Sequence, residues 1–295
     1  MINEKANLKI KIADINFEIN GLLKDDRFYK QAKEYATDFD KADFCVNIGI
    51  TDSDIAMPEG KKLTDRLFDN WYIADSGLYA VCIADEVNNR VLARILCDVE
   101  GGVADIAILD IKKHYGMEIT ACTYNMLEIL LHFLIVRYNG FVVHASSIAY
   151  KGTGLAFSAE SGTGKSTHTA LWLKNCPDDT VMLNDDKPIF RYFENDGWYI
   201  YGTPWAGTTG LNTNLKVPLK ALVFLERSKT NSIRRLASAE VISRFFEAVI
   251  SPMSDEITDK ILELLGLLIE KSNVCLLKCN MENEAMETVK KFLYE

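Results

Sequence analysis

The sequence predicts an α/β protein: a mixed-sheet domain built on a phosphate-binding loop over residues 118–295, preceded by a β-rich module over residues 1–117. Three observations lead there. A Walker A-like run, Ala159-Glu160-Ser161-Gly162-Thr163-Gly164-Lys165-Ser166-Thr167, lies between an apolar strand, Gly154–Ser158, and a helix, Thr167–Lys174. Only Lys151-Gly152-Thr153-Gly154 separates that strand from the preceding one, Phe141–Tyr150. So short a turn permits an antiparallel hairpin and forbids the long crossover a parallel neighbour needs, so the loop is fed from a mixed sheet. The first 115 or so residues alternate polar and apolar with the period of strands.

Taken in order, Leu8–Ile12, Asn16–Ile19, Phe44–Ile50, Trp71–Ile73, Leu78–Ile83 and Arg90–Leu96 read as strands, with Glu86–Arg90 as a hairpin tip and a short helix within 25–37. Glu118–Asn139 is one helix, apolar on most sides and closed by Asn139-Gly140. Past the loop, Thr180–Leu183 is a short strand ending in Asn184-Asp185-Asp186-Lys187-Pro188, and Ile189–Phe193 pairs with Gly197–Tyr201 around Asn195-Asp196-Gly197. A Gly-rich segment, Gly202–Gly210, follows. Then come strands Lys220–Leu225 and Ser232–Leu236, helices near 238–250, 255–271 and 282–293, and a strand Val274–Lys278.

The 295 residues are 48% hydrophobic and 25% charged, with a net charge of −9. That is ordinary globular composition, and the acidic balance argues against nucleic acid as a partner. Seven scattered Cys without a CxxC pair, and a polar start at Met1–Lys11, read as a reducing cytoplasm with buried thiols. The longest apolar stretch, Met126–Val136, is interrupted by Glu128 and His132 and reads as a buried helix, so a membrane partner is not expected.

The loop's chemistry follows from its residue types. Successive backbone N–H groups around Gly162, Thr163 and Gly164 can cradle a polyphosphate, Lys165 can reach the β- and γ-phosphates, and the Ser166 hydroxyl can ligate Mg²⁺. The helix N-terminus adds its partial positive charge. Asp185 and Asp186 lie 19 and 20 residues after Ser166, at a strand end. One can hold Mg²⁺ while the other accepts a proton from an attacking hydroxyl, or both can belong to a polar turn. His144 is either a half-buried strand histidine or a neighbour of the transferred group. Thr203-Pro204-Trp205 and Thr208-Thr209-Gly210 are a substrate wall and phosphate contacts, or a tight structural loop. Arg234 and Arg235 are a charge-neutralising arginine or a solvated pair, and Lys187 is equally ambiguous.

His144, the loop Ser158–Ser166 and Asn184-Asp185-Asp186 together resemble the HPr kinase/phosphorylase catalytic domain and its phosphoenolpyruvate carboxykinase relatives. The likeness covers residues 140–190 in motifs and 118–295 in architecture. It implies a mixed-sheet domain of HPr kinase/carboxykinase type and a general base among the paired Asp residues. Thr167 stands where HPr kinases carry Glu, which looks more like the carboxykinase loop, and an Arg-Gly-Leu-Gly signature is missing.

The expectation is an ATP- and Mg²⁺-dependent kinase that passes a phosphoryl group to a hydroxyl of a protein, a peptide, free serine or another small molecule. Asp186, Asp185, His144 and Lys165 form its catalytic set. Glu160, Ser161, Gly162, Thr163, Gly164, Lys165, Ser166 and Thr167 bind nucleotide, and Ser166 with Asp185 hold the metal. A nucleotide-binding accessory module, or an ATPase without an acceptor, is the alternative. A homo-oligomer is compatible with the sequence.

Overall fold

A computed structural model describes residues 4–64, 70–85, 90–115, 119–160, 162–207, 209–249 and 255–295. The expected hairpin tip at 86–89, together with Glu118, Ser161 and Thr208, lies outside the described residues. The chain divides into two compact units, 1–134 with 252–257 and 135–251 with 258–295. The domain boundary read from the sequence stands before Glu118, whereas this division falls inside a helix, after Leu134.

In the first unit the elements run β1 (Lys5–Ile12), β2 (Ile15–Leu23), α1 (Arg27–Ala32), β3 (Phe44–Thr51), β4 (Gly60–Lys62), β5 (Asn70–Ala74), β6 (Tyr79–Asp85), β7 (Arg90–Asp98), β8 (Val103–Leu109), α2 (Ile111–Tyr115) and α3 (Ile119–Arg137). Among the described residues the strands form one eight-stranded sheet in the order β1-β2-β3-β8-β7-β6-β5-β4. Its β2–β3 and β3–β8 pairs are parallel and the others antiparallel. Val46, Ile48, Ala93, Ile95, Ile106 and Ile108 are buried at every second position, which is why the alternating segments fold as strands with one covered face. Neither β4 nor β8 was among the sequence-expected strands.

α3 carries Phe133 against Trp71 and Tyr79, with ring centroids 5.0 and 4.8 Å apart. It is long and apolar enough to cross a membrane by length and composition, and 61% of that stretch is buried in the protein. Burial of this kind is what a core helix shows.

The second unit runs β9 (Gly140–Val142), β10 (Ala145–Tyr150), β11 (Thr153–Ser158), α4 (Lys165–Asn175), β12 (Thr180–Asn184), β13 (Ile189–Phe193), β14 (Gly197–Tyr201), β15 (Lys216–Arg227), β16 (Ser232–Arg235), α5 (Ser238–Ala248), α6 (Asp255–Lys271), β17 (Asn273–Cys279) and α7 (Asn283–Tyr294). The sheet is mixed, as the short turn requires: β10 and β11 pair antiparallel from Ala145↔Ser158 to Tyr150↔Thr153, and β11 lies parallel to β15. β12 lies beside β10, two places from the loop-feeding strand. β15 is long enough to serve three neighbours, pairing with β14 at Lys216–Pro218, with β11 over Leu219–Phe224 and with β17 over Ala221–Arg227. Leu155, Phe157, Val223, Leu225 and Leu277 all turn to one face, where Trp172 of α4 and Met286 and Val289 of α7 cover them.

One expected strand, Phe141–Tyr150, is two. β9 pairs with β13 and β10 with β11, and the chain changes partner at Val143-His144. The backbone explains the break. Val143 N donates to Pro188 O at 3.1 Å, His144 N to Ala248 O at 2.7 Å and Ala145 N to Asp186 O at 2.9 Å. Val143 N and Ala145 N keep the antiparallel register set by Val142↔Ile189 and Ser147↔Asn184, whereas the alternate donor, His144 N, goes to Ala248 O, so on that edge the ladder with β11 starts only at Ala145.

Candidate functional site: a phosphate-type loop with a Lys–His–Asp chain

β11 ends at Ser158, and the chain turns through Ala159–Gly164 into α4. Glu160 O accepts from Thr163 N at 3.2 Å, closing the turn. Gly162 and Gly164 have φ of 78° and 117°, a region that favours glycine. A Cβ at Gly164 would also run into the terminal methyl of Met281. Gly164 caps α4 without any side-chain hydrogen bond, so the first-turn N–H groups of this 11-residue helix have no capping acceptor from that residue. Such donors, added to the helix dipole, favour an anion.

Behind the loop, Lys165 Nζ donates to Ala159 O at 3.0 Å and stands 2.9 Å from His144 Nε2. On the other side of the ring, His144 Nδ1 is 3.0 Å from Asp186 Oδ1. An ammonium group can only donate, so Nε2 accepts and Nδ1 carries the proton that goes to Asp186. The three side chains form one directed chain of hydrogen bonds. Burial lowers the Lys165 pKa, with the Asp186 charge opposing it. For Asp186, burial pushes upward, but the His144 hydrogen bond and the Lys187 and Lys165 charges outweigh it, leaving the carboxyl below its ordinary value.

Asp185 is held differently. Its Oδ1 accepts from Gly207 N at 2.6 Å, and its Oδ2 accepts from Thr209 N at 3.1 Å and from the Thr209 hydroxyl. The adjacent Asp residues therefore separate by partner: one faces His144, the other the Gly-rich segment. Asn184, fully buried, makes this possible. Its Oδ1 accepts from Asp186 N and Lys187 N at 2.8 and 2.5 Å, while its Nδ2 donates to Thr203 O and Trp205 O at 2.9 and 3.2 Å. Gly202 admits no Cβ there, because Leu183 O and Thr213 O lie against it.

Gly162, Gly164, Lys165, Ser166, Thr167, His144, Asp185, Asp186 and Gly207 line one cavity of about 390 Å³. Most of the sequence-predicted set is thus brought together. Glu160 and Thr163 instead line a second cavity of about 610 Å³. Arg234 forms an exposed ion pair with Glu240, at 2.6 Å, and lines neither cavity. Thr209 serves Asp185.

Two residues were missed. Arg227, at the end of β15, donates from Nη2 to Gly162 O and, at 3.4 Å, from Nε to Thr163 O, clasping the loop from the parallel neighbour of β11. Its signal was its place two residues after the apolar run Ala221–Leu225. Asn184 was named only as the first residue of the paired-Asp motif, or of a polar turn, with no role of its own.

The family model described as SynChlorMet cassette protein ScmC matches residues 108–291. The chain belongs to the ScmC family. In this ScmC-family chain His144, the loop, Asn184–Asp186 and Arg227 all fall inside the matched residues, and nearly all of the first unit's sheet falls before them. No curated protein matches the chain. The structure of the Hpr(Ser) kinase/phosphatase from Coxiella burnetii is a weak likeness, with 11% identity and a TM-score of 0.31 over 51% of this chain and 95% of that one.

Proposed function

We propose that this chain is a phosphotransferase that uses a nucleoside triphosphate, ATP, and passes its γ-phosphoryl group to a hydroxyl. The observation that carries this reading is the Lys165–His144–Asp186 chain at the mouth of a glycine loop on a helix N-terminus. Such a loop binds polyphosphate. A carboxylate held ionised beside it has the protonation state of a general base. Lys165 and the α4 N-terminus would neutralise phosphate charge, and Asp186, oriented by His144, would take the acceptor's proton.

The oxygen donors in the cavity fit Mg²⁺, which takes one or two carboxylates and completes its shell with phosphate and water. Ser166 and Asp185 would hold it, and it would supply charge neutralisation at the phosphates. Asp185 would exchange its contacts with Gly207 and Thr209 for the ion. Among the described residues no group of three or more His, Cys, Asp or Glu stands at metal-binding geometry.

Incubation with γ-labelled ATP, Mg²⁺ and a cell extract, followed by mass spectrometry, should yield a phosphorylated product with wild-type protein and none with Lys165→Ala. Full transfer by that variant would sink the assignment. Release of inorganic phosphate with no acceptor product would favour the ATPase reading.

A further inference from the structure

His144 lies on the wall of both cavities. The second and larger one is lined on one side by the outer surface of the loop, Ala159, Glu160 and Thr163. Phe224, Glu226 and Arg227 of β15 and Arg244, Glu247 and Ala248 of α5 are among its other walls. At about 610 Å³ it is of the size that takes a small organic ligand.

Its charges are unlike those of the phosphate-loop cavity. Residues 244, 247 and 248 sit at i, i+3 and i+4, so a helix presents them on one stripe. That stripe is held in register with the catalytic chain, because Ala248 O accepts from His144 N at 2.7 Å. Arg227 is committed to the loop carbonyls. Arg244 is not: its nearest acid is Glu226 at 3.5 Å, too long for a good charge-assisted bond, and its side chain is 35% exposed. A half-exposed arginine fork, loosely paired with Glu226, and an exposed carboxylate, Glu247, one turn apart over an apolar floor of Phe224 and Ala248, match a ligand with a carboxylate and an ammonium on one carbon.

We propose that this second cavity is the acceptor subsite and that the acceptor is a free hydroxy amino acid. Arg244 holds its carboxylate, Glu247 its ammonium, and its hydroxyl passes the His144 ring into the phosphate-loop cavity. The proposal rests on the phosphotransfer reading. In the step, the acceptor oxygen bonds to the γ-phosphorus and the bridging β–γ P–O bond breaks. The nucleoside diphosphate leaves with that electron pair, and the hydroxyl proton goes to Asp186. A serine inside a polypeptide has neither charge on its main chain and would leave both Arg244 and Glu247 without a partner.

Calorimetry on the full chain with L-serine, L-threonine and L-tyrosine, each beside its neutral N-acetyl amide, tests the subsite without requiring turnover. At least one free amino acid should bind, and its neutral derivative should bind at least about tenfold more weakly. Arg244→Gln and Glu247→Gln should each weaken that binding by about 10- to 100-fold, as loss of one charged hydrogen bond does. ATP affinity should stay within about twofold. The proposal falls if none of the three binds, if the neutral derivatives bind as well, or if the substitutions weaken ATP instead, which would give the cavity to the nucleoside. Amino-acid binding without any labelled phosphoamino acid would leave the site standing and sink the phosphotransfer reading.

Discussion

Among the described residues the N-terminal unit buries one acid, Asp26, at the start of α1, while the C-terminal unit gathers Lys165, His144, Asp185 and Asp186 around one loop and buries His168 on the helix that follows it. Asp26 is wholly buried, accepts from Phe28 N at 2.7 Å, and is pushed by burial up to about 6. His168 is also wholly buried, packs against Phe157 at 4.4 Å, accepts from Trp172 Nε1 at 3.4 Å, and is driven down by burial to about 4. Both groups resist charge, so they bias the two units in opposite directions as pH changes. Chemistry with a polyphosphate needs charges that persist, and at Asp186 a hydrogen bond and neighbouring cations offset burial.

The comparison can be broken most severely at Asp186. Asp186→Asn should lower phosphotransfer by about 10²- to 10⁴-fold, the range for a lost general base. Hydrogen exchange across β1–β8 should not change. Lys165→Ala should follow at about 10²- to 10³-fold, the cost of removing one preorganised charge from a developing anion. Parallel loss of protection in the N-terminal sheet would show that the effect is not local to the loop.

The pH dependences come next. Unfolded His168 protonates near 6.5, and folded His168 resists until about 4. The unfolded chain therefore binds more protons in that window. The C-terminal unit should lose about 3 kcal/mol as pH falls through it, and His168→Gln should flatten the trend in urea titrations followed at Trp172. Asp26 runs the other way. Folded Asp26 keeps its proton up to about 6, above the unfolded value of 3.8. The N-terminal unit should lose up to about 3 kcal/mol as pH rises between them, and Asp26→Asn should remove that loss and be the more stable form at pH 7. The smallest effect is expected at Gly162, whose positive φ, with open space beside it, should cost about 1 kcal/mol on substitution by Ala, read as a small drop in the midpoint of urea unfolding.

How much of this was legible depends on how local each cause is. The loop, the β10–β11 hairpin and the paired Asp residues were readable because Gly spacing, turn length and an apolar run that feeds a polar end act over a few residues. The break at His144 was not, because it is set by Ala248 O, more than a hundred positions away. Asn184 and Arg227 escaped for the same reason: each works through main-chain groups of distant segments, at 203–205 and 162–163. β8 was overlooked although Ala104, Ile106 and Ile108 alternate, since its small and acidic outward residues, Asp105 and Ala107, dilute the pattern.

Lys165 in this form gives two of its three N–H donors to His144 and Ala159. An incoming anion that takes more than the third must compete with those internal acceptors. Measured affinity will report the difference between two sets of bonds, and solutes offering a single weak acceptor gain little from the exchange. On the proposed reading, a triphosphate that reaches all of the loop's donors should gain more from the exchange than a small anion that reaches one.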